Sequence, residues 1–153
     1  MNTLPSALTE IRAFRVIGDK LGTAGQPTEN QFSVIREAGF DAVINLALPI
    51  SDNALANEGS IVTALGMSYA HVPVNFKAPT SDNFNAFCGL MKAFEGRRVF
   101  VHCAANMRVS AFVFLYRVLL KNVSRTEAER DLRAIWEPDE VWRRFIETQL
   151  ERR

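Results

Sequence analysis

Twelve consecutive residues, VFVHCAANMRVS at 99–110, carry a strand, a tight turn and the start of a helix. Val99, Phe100 and Val101 are an apolar, β-prone run of the length of a buried strand. Cys103 follows at the strand's end, four residues intervene, and Arg108 opens an apolar helical pattern that runs to about Leu120. A thiol and a guanidinium at a helix N-terminus form an anion site. The first N–H groups of the helix have no partner within it, and the helix dipole favours negative charge there. The same field stabilises a thiolate. Arg108 adds a planar fork that grips an oxyanion with two hydrogen bonds. Cys88, on the preceding helical pattern, fits a small buried apolar residue instead.

Composition narrows the partners. The chain has 153 residues, the length of a single domain over 1–153 with one core. Its formal net charge of +1 speaks against nucleic acid or an anionic membrane recruited by bulk charge. Two cysteines and two histidines, His71 and His102, lack metal-ligand spacing, so neither a zinc site nor a metal cofactor is expected. A disulfide framework is not expected either, which suits a reducing cytoplasm. The start, MNTLPSALTEIRAFRV, lacks the pattern of a signal peptide. The most apolar run, Val109–Leu120, contains Arg117 and is too short to span a bilayer.

The rest of the chain alternates strands with helices. Residues 13–17 and 21–24 read as a hairpin joined by Gly18-Asp19-Lys20. Thr28 with Gln31 makes a capping box, Phe32, Ile35 and Ala38 supply a buried stripe, and Gly39 stops that helix. A second buried strand spans 42–48 and ends at Pro49. Ser51 or Asp52 then caps a helix running to about Leu65. Residues 68–74 form another strand, with Pro73 near its end. Thr80 or Ser81 caps a helix whose stripe is Phe84, Phe87, Cys88, Met91 and Phe94. After 99–121, Ser124 and Glu127 cap a helix with Ala128, Leu132 and Ile135 inward. Pro138 sits at a first helical position, and Val141, Trp142, Phe145, Ile146 and Leu150 line the last helix. The pattern predicts an α/β fold: a mainly parallel sheet flanked by helices, an N-terminal hairpin and extra C-terminal helices. Ligands bind such sheets beyond the carboxyl ends of the strands. Loops 49–53, 75–80 and 103–108 meet there and bring Asp52, Asn75, Lys77, Asp82, Cys103 and Arg108 to one end.

GTAGQPT at 22–28, AGFDAVINL at 38–46, YAHVPV at 69–74, APT at 78–80 and VFVHC at 99–103 fall in an order that resembles the bacterial dual-specificity-like cysteine phosphatases. More narrowly, the chain resembles the phosphatase-like domain related to that fused to β-lactamase-like hydrolases. The resemblance spans about residues 13–121 and implies a cysteine-phosphatase-like fold. It implies Cys103 as a nucleophile that forms a thiophosphate ester. The amides of Ala104, Ala105, Asn106 and Met107, with the Arg108 guanidinium, would bind the phosphoryl oxygens. Fixed donors aimed at developing charge are the physical counterpart of that scheme, and it needs no cofactor. The substrate is then a phosphorylated small molecule or a phosphoprotein. The resemblance also implies an acidic proton donor after the HVPV strand. Asn75 stands first in that loop and cannot supply a proton, Asp82 is the carboxylate there, and Asp52 and Glu137–Glu140 are substitutes.

Two departures leave other chemistries open. Four residues separate Cys103 from Arg108, where the phosphatase signature has five, and Asn106 takes the place of a glycine. Asn tolerates the left-handed backbone that such a turn needs. Cys-x4-Arg also resembles the rhodanese-type sulfurtransferases, so the alternative is a persulfide on Cys103 loaded from a sulfur donor. Asn75 in the acid region and Val109, where the family has Ser or Thr, motivate a further alternative, a non-catalytic module that binds a phosphate-like anion. His102 points away from the pocket by strand alternation and orients the loop through a hydrogen bond. Trp136, Trp142 and Phe145 pack the C-terminal helices.

Overall fold

The structure, a computed structural model, describes residues 6–152. Residues 1–5, part of the stretch read for a signal peptide, lie outside the described residues. A 3-10 helix, Ser6–Glu10, precedes β1 (Arg15–Ile17) and β2 (Leu21–Ala24). These two pair antiparallel, with Arg15 opposite Thr23, and Gly18 turns the hairpin at a φ of +66°. There follow α1 (Glu29–Glu37), β3 (Ala42–Asn45), α2 (Glu58–Ala64), β4 (Ser68–His71), α3 (Ser81–Ala93) and β5 (Val99–His102). Three helices close the chain: α4 (Met107–Leu120), α5 (Arg125–Ile135) and α6 (Glu140–Glu151). The sheet order is β1-β2-β5-β3-β4, parallel except for the β1–β2 hairpin.

Both faces of the sheet are covered, so the central strands are apolar up to their last residues, Asn45 and His102. Every residue of β3 and β5 is buried. On one face Val43 and Phe100 pack against Phe32 and Ile35 of α1, Val62 of α2 and Leu8. On the other, Ile44 and Val101 meet Phe84 and Phe87 of α3, α4, and Trp142 and Phe145 of α6. Helix α4 is buried almost all round, from Val109 to Tyr116. The expected capping box of α1, Thr28 with Gln31, is present, Thr80 rather than Ser81 caps α3 and forms a box with Asn83, and Ser124 caps α5 by accepting the Glu127 N–H.

Four of the element boundaries differ from the sequence reading. Helix α2 starts at Glu58, not near Ser51, and residues 46–57 form a long loop. Ser51 and Asp52 have good cap chemistry, but such side chains serve turns equally well. Strands β3 and β4 end at Asn45 and His71, short of 48 and 74. Helix α6 begins at Glu140 and not near Pro138, with Asp139 as its cap, whose side chain accepts the Trp142 N–H at 3.0 Å.

The parallel strands end in register. Ala24 lies opposite His102, His102 opposite Asn45, and Asn45 opposite His71. The loops after these strands therefore leave the sheet from one level. Among the described residues no helix is long and apolar enough to cross a membrane.

Candidate active site

The turn after β5 is held from outside. The Cys103 N–H donates to the Ala24 carbonyl at 3.3 Å, which continues the β2–β5 ladder by one residue. The Ala104 carbonyl then accepts the Gln26 N–H at 3.1 Å and the Asn53 side-chain amide at 3.3 Å. Gly25 passes so close that a Cβ there would lie 2.6 Å from the Ala104 oxygen. A side chain at 25 is incompatible with this turn.

Asn106 completes the turn in the left-handed region, φ +65°, where a glycine is usual. It stands at the N-cap of α4 without capping it. Its Nδ2 instead donates to the Ala13 carbonyl at 2.9 Å and to Thr23 Oγ1 at 3.2 Å. The first helical hydrogen bond runs from the Ser110 N–H to the Asn106 carbonyl. Earlier N–H groups of the first turn have no partner within the helix.

Arg108 is 6% exposed. Its Nη1 donates to the Val74 carbonyl at 3.0 Å, and its guanidinium carbon lies 5.8 Å from the Phe76 ring centre. Its Nε is buried with no hydrogen-bond partner. The guanidinium is thus anchored on the β4–α3 loop and retains donor capacity. Phe76 is fixed in turn by its carbonyl, which accepts the Trp142 indole N–H at 2.8 Å.

An open cleft of about 510 Å³ lies above this turn, lined by Ala104 and Arg108, by Leu48 and Ile50 to Asn53, by Asn75, Phe76 and Lys77, and by Arg12. The three expected loops do meet here. Cys103 is fully buried beneath Ala104 and does not line the cleft. Asp52 is the one carboxylate among the lining residues. Asp82 is exposed in the first turn of α3 and does not line it. Asn75 accepts the Lys77 N–H at 2.9 Å and so closes a local turn. The acidic cluster at 137–140 is engaged elsewhere: Glu137 with Arg133, Asp139 with its own helix, and Glu140 with Arg144 at 2.6 Å. Ser110, one residue past Val109, donates to the Met107 carbonyl at 2.9 Å and accepts the Trp136 indole N–H at 3.0 Å.

Behind the turn is a polar network in which His102 bonds the loop as expected, while Glu58 and Gln26 lie outside the sequence expectations. His102, fully buried, lies with Nε2 2.6 Å from Glu58 Oε2 and Nδ1 3.2 Å from the Cys103 carbonyl. Gln26 donates to Glu58 Oε1 at 2.7 Å. Burial alone would raise the Glu58 pKa, but the His102 bond and charge, with Gln26 and Tyr69, outweigh it and hold Glu58 below the ordinary value. Gln26 and Glu58 lie 32 residues apart, and no periodic pattern links them. Among the described residues no cluster of His, Cys, Asp and Glu is placed to hold a metal ion.

A thiol at the end of the central parallel strand, an arginine on the first turn of the next helix and a cleft between the strand-end loops define a protein of the cysteine-phosphatase class. The chain belongs to the family described as DSP-PTPase phosphatase fused to NAD+ kinase, which matches residues 19–147. Its fold follows that of a candidate phosphatase (DUF442) from Shewanella putrefaciens CN-32, 32% identical, with a TM-score of 0.86 over 96% of this chain and 97% of that one. Tk-PTP in its active form shares the fold at 18% identity, with a TM-score of 0.76 over 92% of this chain and 97% of that one. A Beta-lactamase hydrolase-like protein of Agrobacterium fabrum (strain C58 / ATCC 33970) is 31% identical over 117 residues, 74% of this chain. The match covers 27% of that relative, so the chain spans about a quarter of its length.

Proposed function

We propose that the chain hydrolyses phosphate monoesters through Cys103. The observation that carries this reading is Arg108: buried, anchored on the Val74 carbonyl, its Nε without a partner, beside the open N-terminus of α4. An arginine held so is pre-organised for an oxyanion. The Cys103 thiolate attacks phosphorus, and the bond from phosphorus to the ester oxygen breaks. Arg108 and the amides of residues 104–107 bind the remaining phosphoryl oxygens. Asp52, the cleft's carboxylate, protonates the departing oxygen in place of Asp82 and then takes a proton from the attacking water. Water attack breaks the phosphorus–sulfur bond and releases phosphate and the thiolate.

The substrate is a phosphorylated small molecule or protein whose ester group reaches a shallow, open cleft with Arg12 and Lys77 at its walls. Both cysteines are free thiols, which suits a reducing cytoplasm. The test is hydrolysis of 4-nitrophenyl phosphate by the protein and by Cys103→Ser. Equal rates from two folded proteins refute the reading.

The four-residue spacing favours a second reading, sulfurtransfer. Cys103 thiolate would take the outer sulfur of thiosulfate, releasing sulfite and leaving a persulfide. Intact mass after thiosulfate treatment reads one added sulfur that Cys103→Ser lacks. An unchanged mass removes this alternative.

A further inference from the structure

The polar network behind the turn has a defined proton content. The Cys103 carbonyl can only accept, so the His102 Nδ1 that faces it at 3.2 Å carries a proton. A second proton lies in the 2.6 Å contact between Nε2 and Glu58 Oε2. Histidine and glutamate together therefore hold two protons and are neutral as a pair. The side of the contact on which the second proton rests decides whether a charge lies behind the nucleophile.

The surroundings stabilise the carboxylate form. Glu58 is 4% exposed, and Oε1 accepts the Gln26 amide at 2.7 Å. The Tyr69 hydroxyl, which accepts from the Asn45 amide at 3.1 Å, helps lower the Glu58 pKa. Burial and the neighbouring carboxylate keep Tyr69 itself protonated, its pKa pushed well above the ordinary value. Neutral Gln26 and Tyr69 thus favour the Glu58 carboxylate besides His102. The Phe32 ring meets the imidazole edge-on at 6.0 Å and offers no acceptor. Among the described residues, the titratable groups around the imidazole are Glu58, Tyr69 through Glu58, and Cys103.

We infer that Glu58 is a positioning residue of the site: with Gln26 it holds His102 as an imidazolium whose Nδ1–H is given to the Cys103 carbonyl, so a buried cation stands behind the nucleophile. The inference rests on Cys103 as the nucleophile. Arg108 and the α4 N-terminus face the phosphoryl group from the cleft side, whereas His102 acts through the backbone of Cys103 from the opposite side. The pair is overall neutral, with its positive end nearer the Cys103 carbonyl and its negative end on α2. Such a dipole favours thiolate over thiol and stiffens the turn.

Two measurements test the assignment. The chain contains two histidines, so ¹⁵N-labelled imidazole spectra are readily assigned by comparison with His71→Gln. At neutral pH both His102 ring nitrogens are expected to be protonated, and in Glu58→Gln one of them loses its proton. A neutral His102 ring in the unaltered protein overturns the inference. The second readout is the ultraviolet absorbance of the thiolate, taken as the difference from Cys103→Ser at mildly acid pH. It is expected to report about tenfold less thiolate in Glu58→Gln, the size of effect a lost nearby charge produces. Gln26→Leu, which keeps both charges, serves if Glu58→Gln does not fold, and is expected to give a smaller loss of the same sign. Thiolate content unchanged in a folded variant also overturns the inference. Neither readout requires turnover, so absence of phosphatase activity would refute the proposed reaction and leave this test standing.

Discussion

Replacing Gly25 by alanine tests whether the turn after β5 is gauged by its neighbour. The added Cβ would sit 2.6 Å from the Ala104 oxygen and 3.1 Å from the Ala105 Cα, where ordinary contact begins at 3.4 Å. The obstacle is backbone, so no side chain can swing aside. Restoring contact moves the Ala104 carbonyl by about 0.8 Å, the difference between 3.4 and 2.6 Å. That carbonyl accepts from Gln26 and Asn53, and each of these bonds contributes about 0.5–1.5 kcal/mol. Strain and weakened bonding together cost about 1–3 kcal/mol. The turn carries Cys103 and leads into Arg108, and a misplacement approaching 1 Å costs about 10²-fold in rate. Urea unfolding and steady-state hydrolysis of an aryl phosphate measure the two effects. Gly89→Ala on α3, where a Cβ meets nothing within 4 Å, is the control. It is expected to stabilise by about 0.5–1 kcal/mol, because glycine is a poor helix former. Wild-type stability and rate in Gly25→Ala would refute the idea that this contact sets the turn.

Other outcomes follow from the same geometry. Asp52→Asn is expected to slow alkyl phosphate hydrolysis by about 10²–10⁴-fold and to affect aryl esters with good leaving groups far less. Equal losses on both substrate classes would refute a role in proton transfer. Because the folded-state pKa of Glu58 lies below its ordinary value of 4.5, its ionisation contributes stability that is complete above that value and lost as pH falls through the folded one. Melting temperature against pH should therefore fall less steeply on the acid side for Glu58→Gln than for the unaltered protein. Trp142→Ala, which empties a fully buried site, is expected to cost about 3–5 kcal/mol by chemical unfolding. It also frees the Phe76 carbonyl that the indole N–H holds, so KM should rise with the loss of the Phe76 platform under Arg108.

Local chemistry was legible in the sequence, and long-range polar pairing was not. Thr28 announces its helix because its capping box with Gln31 is complete within four residues. Residues 99–120 announce a strand, a turn and a helix because each occupies a continuous run. Ser51 and Asp52 misled because cap chemistry is also turn chemistry, and residues 46–57 became a wall of the cleft instead of a helix. The turn between Cys103 and Arg108 could be located from spacing, and Asn106 could be expected in a left-handed conformation. The burial of Cys103 and the Val74 anchor of Arg108 depend on how the β4–α3 loop folds over the sheet. His102 could be turned away from the cleft by strand alternation. Its partner lies 44 residues earlier on a helix whose start was itself misread, and no pattern in the chain connects the two.

The register of the strand ends also bears on how such a protein diversifies. Ala24, His102, Asn45 and His71 form one row across four parallel strands. The turn that holds Cys103 is fastened to the first and second of these strands and to Gln26, through bonds that start at or just past the row. Residues 48, 50–52 and 75–77 line the cleft from the other side of that row. Replacements at Leu48, Ile50, Ser51 and Lys77 can remodel the mouth while the sheet and the thiol keep their places, whereas Asp52 and Phe76, on the same rim, stay tied to the reaction. The fold thus separates a fixed floor from a rim most of whose positions are free to vary, so what the protein accepts can change without rebuilding how it reacts.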